Sequence, residues 1–123
     1  MINRIKSTQV KAVRDELLEL QGGLCAICSR KPKIEHLDHD HKTGAIRGTL
    51  CSGCNLLLGV IEKRQYLNGV DDLGAWLAGC ATYVTCHASD QTGLLHPTHL
   101  TDDEKKARAK KRRQKKLEQK NAR

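Results

Sequence analysis

The sequence predicts a small α+β fold: a β-hairpin stapled by zinc, flanking helices, and a basic C-terminal helix or tail. Three observations predict it. Two Cys-x-x-Cys pairs, Cys25/Cys28 and Cys51/Cys54, bracket two short extended segments about a Lys42-Thr43-Gly44 turn. Before the first pair, Val10, Val13, Leu17 and Leu20 recur at the helical period. Charge gathers at the far end: residues 105–123 carry 11 Lys/Arg against one acid, a net +10, whereas residues 1–104 sum to −2.

A chain of 123 residues holds one small domain plus appendages. Its aromatic content is 2%: Trp76, Tyr66, Tyr83 and no Phe. Trp76 is expected in the core. So little bulk calls for a disulfide, a metal or a partner to hold the fold. No segment approaches the roughly 20 apolar residues that span a bilayer, and Met1–Lys11 has no apolar run of signal-peptide length. The chain therefore reads as cytoplasmic, with no membrane partner. There, closely paired cysteines bind metal more often than they form disulfides.

Taken in order, residues 8–21 are expected to be an amphipathic helix, capped by Ser7 or Thr8 and ended by Gly22-Gly23. The first knuckle follows. Residues 34–38 and 45–50 are the two strands. Asn55 to Gly59 begins a short helix, and another is expected over residues 70–80. Residues 86–100 read as irregular. Thr101-Asp102-Asp103-Glu104 matches a capping box, so a charged helix is expected over residues 102–120. The implied organisation is an N-terminal helix (1–22), the zinc-braced unit (23–62), a helical extension (63–100) and a basic tail (101–123).

Cys25, Cys28, Cys51 and Cys54 carry the metal assignment. Each two-residue knuckle turns both thiolates toward one ion, and two knuckles complete a tetrahedron. Twenty-two residues separate the pairs, slightly beyond the usual spacing of about 15–20, and a hairpin absorbs the excess. With four protein ligands the site is closed, hence structural. Two disulfides, four buried thiols and an iron–sulfur centre are the competing readings.

Between the knuckles lies His36-Leu37-Asp38-His39-Asp40-His41, three histidines and two aspartates in six residues. On an extended segment Asp38 and Asp40 share one face, and His39 and His41 the other. A carboxylate suits Mg²⁺, and an imidazole titrating near neutrality suits a general base. The same residues would serve a polar hairpin with satisfied histidines, or a second zinc site.

Gln21-Gly22-Gly23, Cys25-x-x-Cys28, Leu37-Asp38-His39-Asp40-His41, Thr43-Gly44, Ile46-Arg47-Gly48 and Cys51-x-x-Cys54-Asn55 through Gly59 follow one another over residues 21–59, about a third of the chain. This run closely resembles the phage recombination endonuclease VII family, one of the His-Me finger (HNH-type) nucleases. The resemblance implies a ββα-metal finger in which Asp38 and Asn55 hold one divalent cation, Mg²⁺ or another. It implies that His39 activates the attacking water and that His41 meets the scissile phosphate or helps the leaving group. It implies a metal-dependent endonuclease cutting duplex or branched DNA. There is a departure: family members often carry an acid three positions after the metal-binding Asn, where this chain has Leu58, with Glu62 one turn later as a stand-in.

The tail, with Lys110, Lys111, Arg112, Arg113, Lys115 and Lys116, has the charge of a phosphate-binding footprint; a solvated helix is its bland alternative. Arg47 is expected to touch the DNA backbone or to be a plain surface arginine. Cys80, Cys86, His87, His96 and His99 are spaced too loosely to specify a second metal site. A homodimer and a phage or host protein partner stay open. The competing functional class is a non-catalytic zinc module that binds nucleic acid or phage proteins. It needs the four cysteines and the tail but not Asp38, His39 and Asn55.

Overall fold

A computed structural model describes residues 3–123, so the N-terminal region expected from residue 1 begins just outside the described residues. Contacts divide the chain into two compact units, residues 1–80 and Ala81–Arg123.

Helix α1 spans Val10–Leu20 and follows a 3-10 turn at Ser7–Gln9. Ser7 and Thr8 do not cap it. The turn is entered from Lys6, whose backbone N–H donates to Gln9 Oε1 at 2.8 Å, because the longer glutamine side chain reaches back over the turn. At the other end Gly22 and Gly23 adopt left-handed φ of 71° and 77°. Their N–H groups return to the carbonyls of Glu19 and Leu18 at 3.0 and 2.8 Å, closing the helix as expected.

Strands β1 (Glu35–His39) and β2 (Ile46–Cys51) pair antiparallel, from Glu35 opposite Cys51 to Asp38 opposite Gly48. The next pair is His39 with Ile46, so Arg47 is an extra residue without an opposite number. The turn between the strands is built on Asp40. Its Oδ1 accepts the Lys42 and Thr43 backbone N–H groups at 2.8 and 3.2 Å, and Gly44 supplies the left-handed φ of 75°.

Helix α2 (Ser52–Arg64) starts without a loop. It is longer than the short helix expected from Asn55. The second knuckle is itself the first helical turn, with Cys51 extended at the N-cap, and Lys63 and Arg64 favour its negative C-terminal end. Helix α3 is Leu73–Cys86, later than the expected 70–80. Asp72 Oδ1 accepts the Ala75 N–H at 3.0 Å, which fixes the start there. Trp76 is 46% exposed, not a core residue. Helix α4 is Asp102–Asn121, with Thr101 Oγ1 accepting the Glu104 N–H at 3.3 Å, as its sequence predicts. No helix among the described residues is long and apolar enough to cross a membrane.

In the first unit α1 and α2 each pack on both strands. The buried centre is small: Cys25, Leu50, Thr49 and Asp38, with Pro32 and Gly48 beside them. Trp76 contributes little because this centre is built from the knuckle and the hairpin. Gln21 ties α1 to β2. Its Oε1 accepts the Thr49 N–H at 2.8 Å, and its Nε2 donates to the carbonyls of Thr49 and Leu24 at 2.8 Å each. Thr49 Oγ1 donates to the Arg14 carbonyl at 2.7 Å, so the fully buried Thr49 has its polar groups satisfied. Gly48 makes the approach possible: a Cβ there would lie 3.0 Å from Gln21 Oε1.

Candidate metal centre and active site

The sulfurs of Cys25, Cys28, Cys51 and Cys54 lie within 4.8 Å of one another. Cys28 Sγ and Cys51 Sγ are 3.8 Å apart, the edge of a tetrahedron whose Zn–S bonds are about 2.3 Å. None of the six cysteines is in a disulfide bond, and four of their sulfurs converge as metal ligands would. The first knuckle closes through the Ser29 N–H on the Cys25 carbonyl at 3.0 Å, with Ser29 left-handed at φ 56°.

The protonation of the cluster calls for a cation. Burial of Cys25 opposes its ionisation, yet backbone N–H groups of Cys28, Cys51 and Ile27 together bring its thiol down to about 6. The neighbouring sulfurs, Cys51 foremost, push the Cys54 thiol up to about 12. Four thiolates at this distance can coexist only around a positive ion. Arg30 adds a further positive charge: its guanidinium hydrogen-bonds Cys28 and feels the charges of Cys51 and Cys54, which raises its own pKa. The donor set and spacing suit Zn²⁺. Nothing in the sequence distinguished Arg30 from any other surface arginine.

The cage sets what comes next along the chain. Cys51 ends β2 and Cys54 sits in the first turn of α2, so Asn55 follows the cage directly. Asn55, Leu58, Gly59 and Glu62 are half-buried, whereas Leu56, Leu57, Val60 and Lys63 are exposed. The first four recur at spacings of three and four, so they form the stripe of α2 that faces the hairpin.

Asp38 is buried toward that stripe, with a side-chain exposure of 10%. Arg47 holds it with a two-point grip: Nε to Oδ2 at 2.7 Å and Nη2 to Oδ1 at 3.1 Å. The same guanidinium meets Glu62 through Nη2–Oε1 at 2.9 Å and Nη1–Oε2 at 3.4 Å. The hydrogen bonds it donates to Asp38 and then Glu62 raise the Arg47 pKa well above the ordinary arginine value. Strict alternation would set Arg47 opposite His39 on the outer face. The bulge turns it to the inner one. Arg47, expected to touch the DNA backbone or to be a plain surface arginine, is ion-paired with Asp38 and Glu62. Glu62, offered by the sequence as a stand-in acid, contacts Arg47.

His39 and His41 are exposed and share a face as expected, their ring centroids 4.6 Å apart. The Asp40 carboxylate accepts the backbone N–H groups of the turn. Among the described residues Asn55 has no side-chain hydrogen-bond partner. Among the described residues, the four cysteines are the one group of three or more Cys, His, Asp or Glu side chains close enough to share an ion. Cys80, Cys86 and the later histidines therefore assemble no second centre there. His87 packs on Tyr83 with centroids 4.5 Å apart, and His96 Nδ1 is 2.7 Å from Thr98 Oγ1. Lys110, Lys111, Arg112, Arg113, Lys115 and Lys116 all lie exposed on α4.

The sequence model of the recombination endonuclease VII family matches residues 2–92. The chain belongs to that family. Among curated proteins, it is 54% identical over 43 residues to the Gene 59 protein of Mycobacterium phage L5, and 55% identical over 42 residues to the Gene 59 protein of Mycobacterium phage D29. Each match covers 32% of this chain and 26% of the phage protein, so the chain spans about a quarter of the length of these relatives.

Proposed function

We propose that this endonuclease VII family member is a metal-dependent nuclease that hydrolyses phosphodiester bonds in duplex or branched DNA, as a phage product in the host cytoplasm. In this reading His39 is the general base and Asp38 and Asn55 hold one divalent cation. The observation that carries it is Asp38: a carboxylate nine-tenths buried, on the strand that faces the α2 stripe bearing Asn55. Arg47 offsets the cost of burying that carboxylate, and the place of Asp38 next to His39 and across from the stripe bearing Asn55 supports a cation seat over a plain structural ion pair.

The carboxylate and amide oxygens of Asp38 and Asn55 suit a hard cation that keeps several waters, as Mg²⁺ does. When bound, such a cation neutralises charge that develops on the phosphate. The remaining work falls to the chain. Asp38 and His39 are neighbours, one buried and one exposed, so the strand points its carboxylate inward and its base outward. A neutral ring nitrogen of His39 accepts a proton from the attacking water. His41, beside it, meets the same phosphate or its leaving oxygen. The zinc cage does no chemistry; it fixes Asn55 on α2 against the strand that carries Asp38.

The test is nicking of supercoiled plasmid with Mg²⁺ and with EDTA, by wild type, His39→Ala and Asn55→Ala. Cutting is expected to need the divalent ion and to fall by two orders of magnitude or more in each variant. Variants that cut like wild type would leave a non-catalytic zinc module that binds nucleic acid.

A further inference from the structure

The contacts of Arg47 exceed what a surface ion pair needs. One guanidinium is gripped twice by Asp38 on β1 and twice by Glu62 on α2. Its place there depends on a one-residue bulge in β2. Both oxygens of Asp38, the residue read above as a cation ligand, are taken up by it. We propose that Arg47 is a positioning residue: it balances the charge of Asp38 until a divalent cation displaces it, and Glu62 tethers it through the exchange. This rests on the reading of Asp38 as a cation ligand.

The exchange follows from charge and geometry. A divalent cation at either Asp38 oxygen faces a guanidinium already within hydrogen-bond distance of both. Like charges so close repel strongly in a partly buried site, so the cation and the two-point grip exclude each other. Arg47 without a second partner would then have to leave for water. Glu62 gives it one, because the Nη1 contact to Oε2 and the Nη2 contact to Oε1 survive when the fork turns away from Asp38.

The place it turns into is lined. Arg47 and Glu62 border a cleft of about 400 Å³ shared with His41, Lys42, Lys63 and Tyr66. Lys42 Nζ sits 4.4 Å over the Tyr66 ring, and Lys42, Lys63 and Arg47 face Asp40 and Glu62 around the cleft, a small excess of positive charge. A planar fork released there matches the two oxygens of a DNA phosphate. Arg47 thus passes from Asp38 to the substrate backbone as the cation binds. Glu62 reaches Asp38 only through Arg47.

The experiment measures Mn²⁺ affinity by electron paramagnetic resonance of the free ion, on full-length zinc-loaded protein without DNA. Arg47→Gln removes the competitor and is expected to bind Mn²⁺ about tenfold tighter, the order expected for one partly screened charge. Its KM for plasmid is expected to rise at the same time. Glu62→Gln leaves Arg47 with Asp38 as its only carboxylate and is expected to bind Mn²⁺ more weakly than wild type. Arg47→Lys keeps the charge but not the fork and is expected between wild type and Arg47→Gln. Equal or weaker Mn²⁺ binding by both Arg47 variants overturns the proposal. Asp38→Asn separates the two readings: Mn²⁺ bound as tightly as by wild type would overturn the cation seat itself, and this proposal with it. Zinc content and thermal unfolding of each variant establish that it is folded.

Discussion

Asp38 and Asp40 are two residues apart in one strand-and-turn segment, yet their surroundings assign them different work. Asp38 is buried and gripped by Arg47. Asp40 is solvated, and backbone N–H groups, first of Lys42 and then of Thr43, hold its carboxyl below the ordinary value. A carboxyl with a depressed folded-state pKa stabilises the fold above the unfolded value, and that stabilisation is lost as pH falls through the lower folded one. Asp40→Ala is therefore expected to melt earlier than wild type at neutral pH, with the gap closing below about pH 4. Its plasmid nicking should stay within a few-fold of wild type, whereas Asp38→Asn should lose it. Thermal unfolding across pH and a nicking assay check both; a melting gap that persists in strong acid, or equal losses of cutting, would contradict the division of roles.

At the scale of elements, the hairpin is held from two ends, by Gln21 at the close of α1 and by the zinc cage at the start of α2. Gln21→Ala leaves the buried Thr49 N–H without its partner, which is expected to cost about 1–3 kcal/mol. Gln21→Glu should cost no less, since an oxygen replaces the Nε2 that donates to the Thr49 and Leu24 carbonyls; urea unfolding at neutral pH measures both, and a neutral Gln21→Glu would refute the assignment. At the other end, one zinc per chain is expected. Its removal by a strong chelator should lower helical ellipticity and abolish Mn²⁺ binding together, because Cys51 and Cys54 join β2 to the helix that carries Asn55. Zinc lost with Mn²⁺ binding intact would show that the cage does not brace the second site. These two ends differ in how far the sequence exposes them. The knuckles, the Lys42-Thr43-Gly44 turn and the Thr101 cap are local, so residue type and spacing suffice to find them. The Gln21–Thr49 bonds join residues 28 apart, and the Arg47 grip depends on a slip of one residue in strand register. Neither leaves a periodic signal. The exposure of Trp76 escaped for a related reason: in a chain so poor in aromatics the core was built from a knuckle and a threonine, which hydropathy does not mark.

For the whole molecule, charge is the property that separates one end of the chain from the rest. Helix α4 holds ten of the 11 basic residues found after position 104, and each of its residues is exposed. Twenty residues make a helix about 30 Å long, with Lys110, Lys111, Arg112, Arg113, Lys115 and Lys116 at its centre. Their numbers place them around the helix, not on one stripe, so the helix offers positive charge in every direction and carries no seam for base reading. Such an element adds affinity by displacing counterions from phosphates, without regard to sequence. Each phosphate contact contributes about 0.9 to the slope of log K against log salt on duplex DNA. Removing residues 105–123 should therefore weaken binding to all duplexes alike and flatten that slope by several units, while zinc content and the pH profile of nicking stay as they were. Fluorescence anisotropy of two unrelated duplexes over a salt series reads both quantities. A truncated chain whose slope equals that of wild type would remove α4 from the DNA contact and leave the positive charge of the cleft beside Arg47 to account for binding by itself.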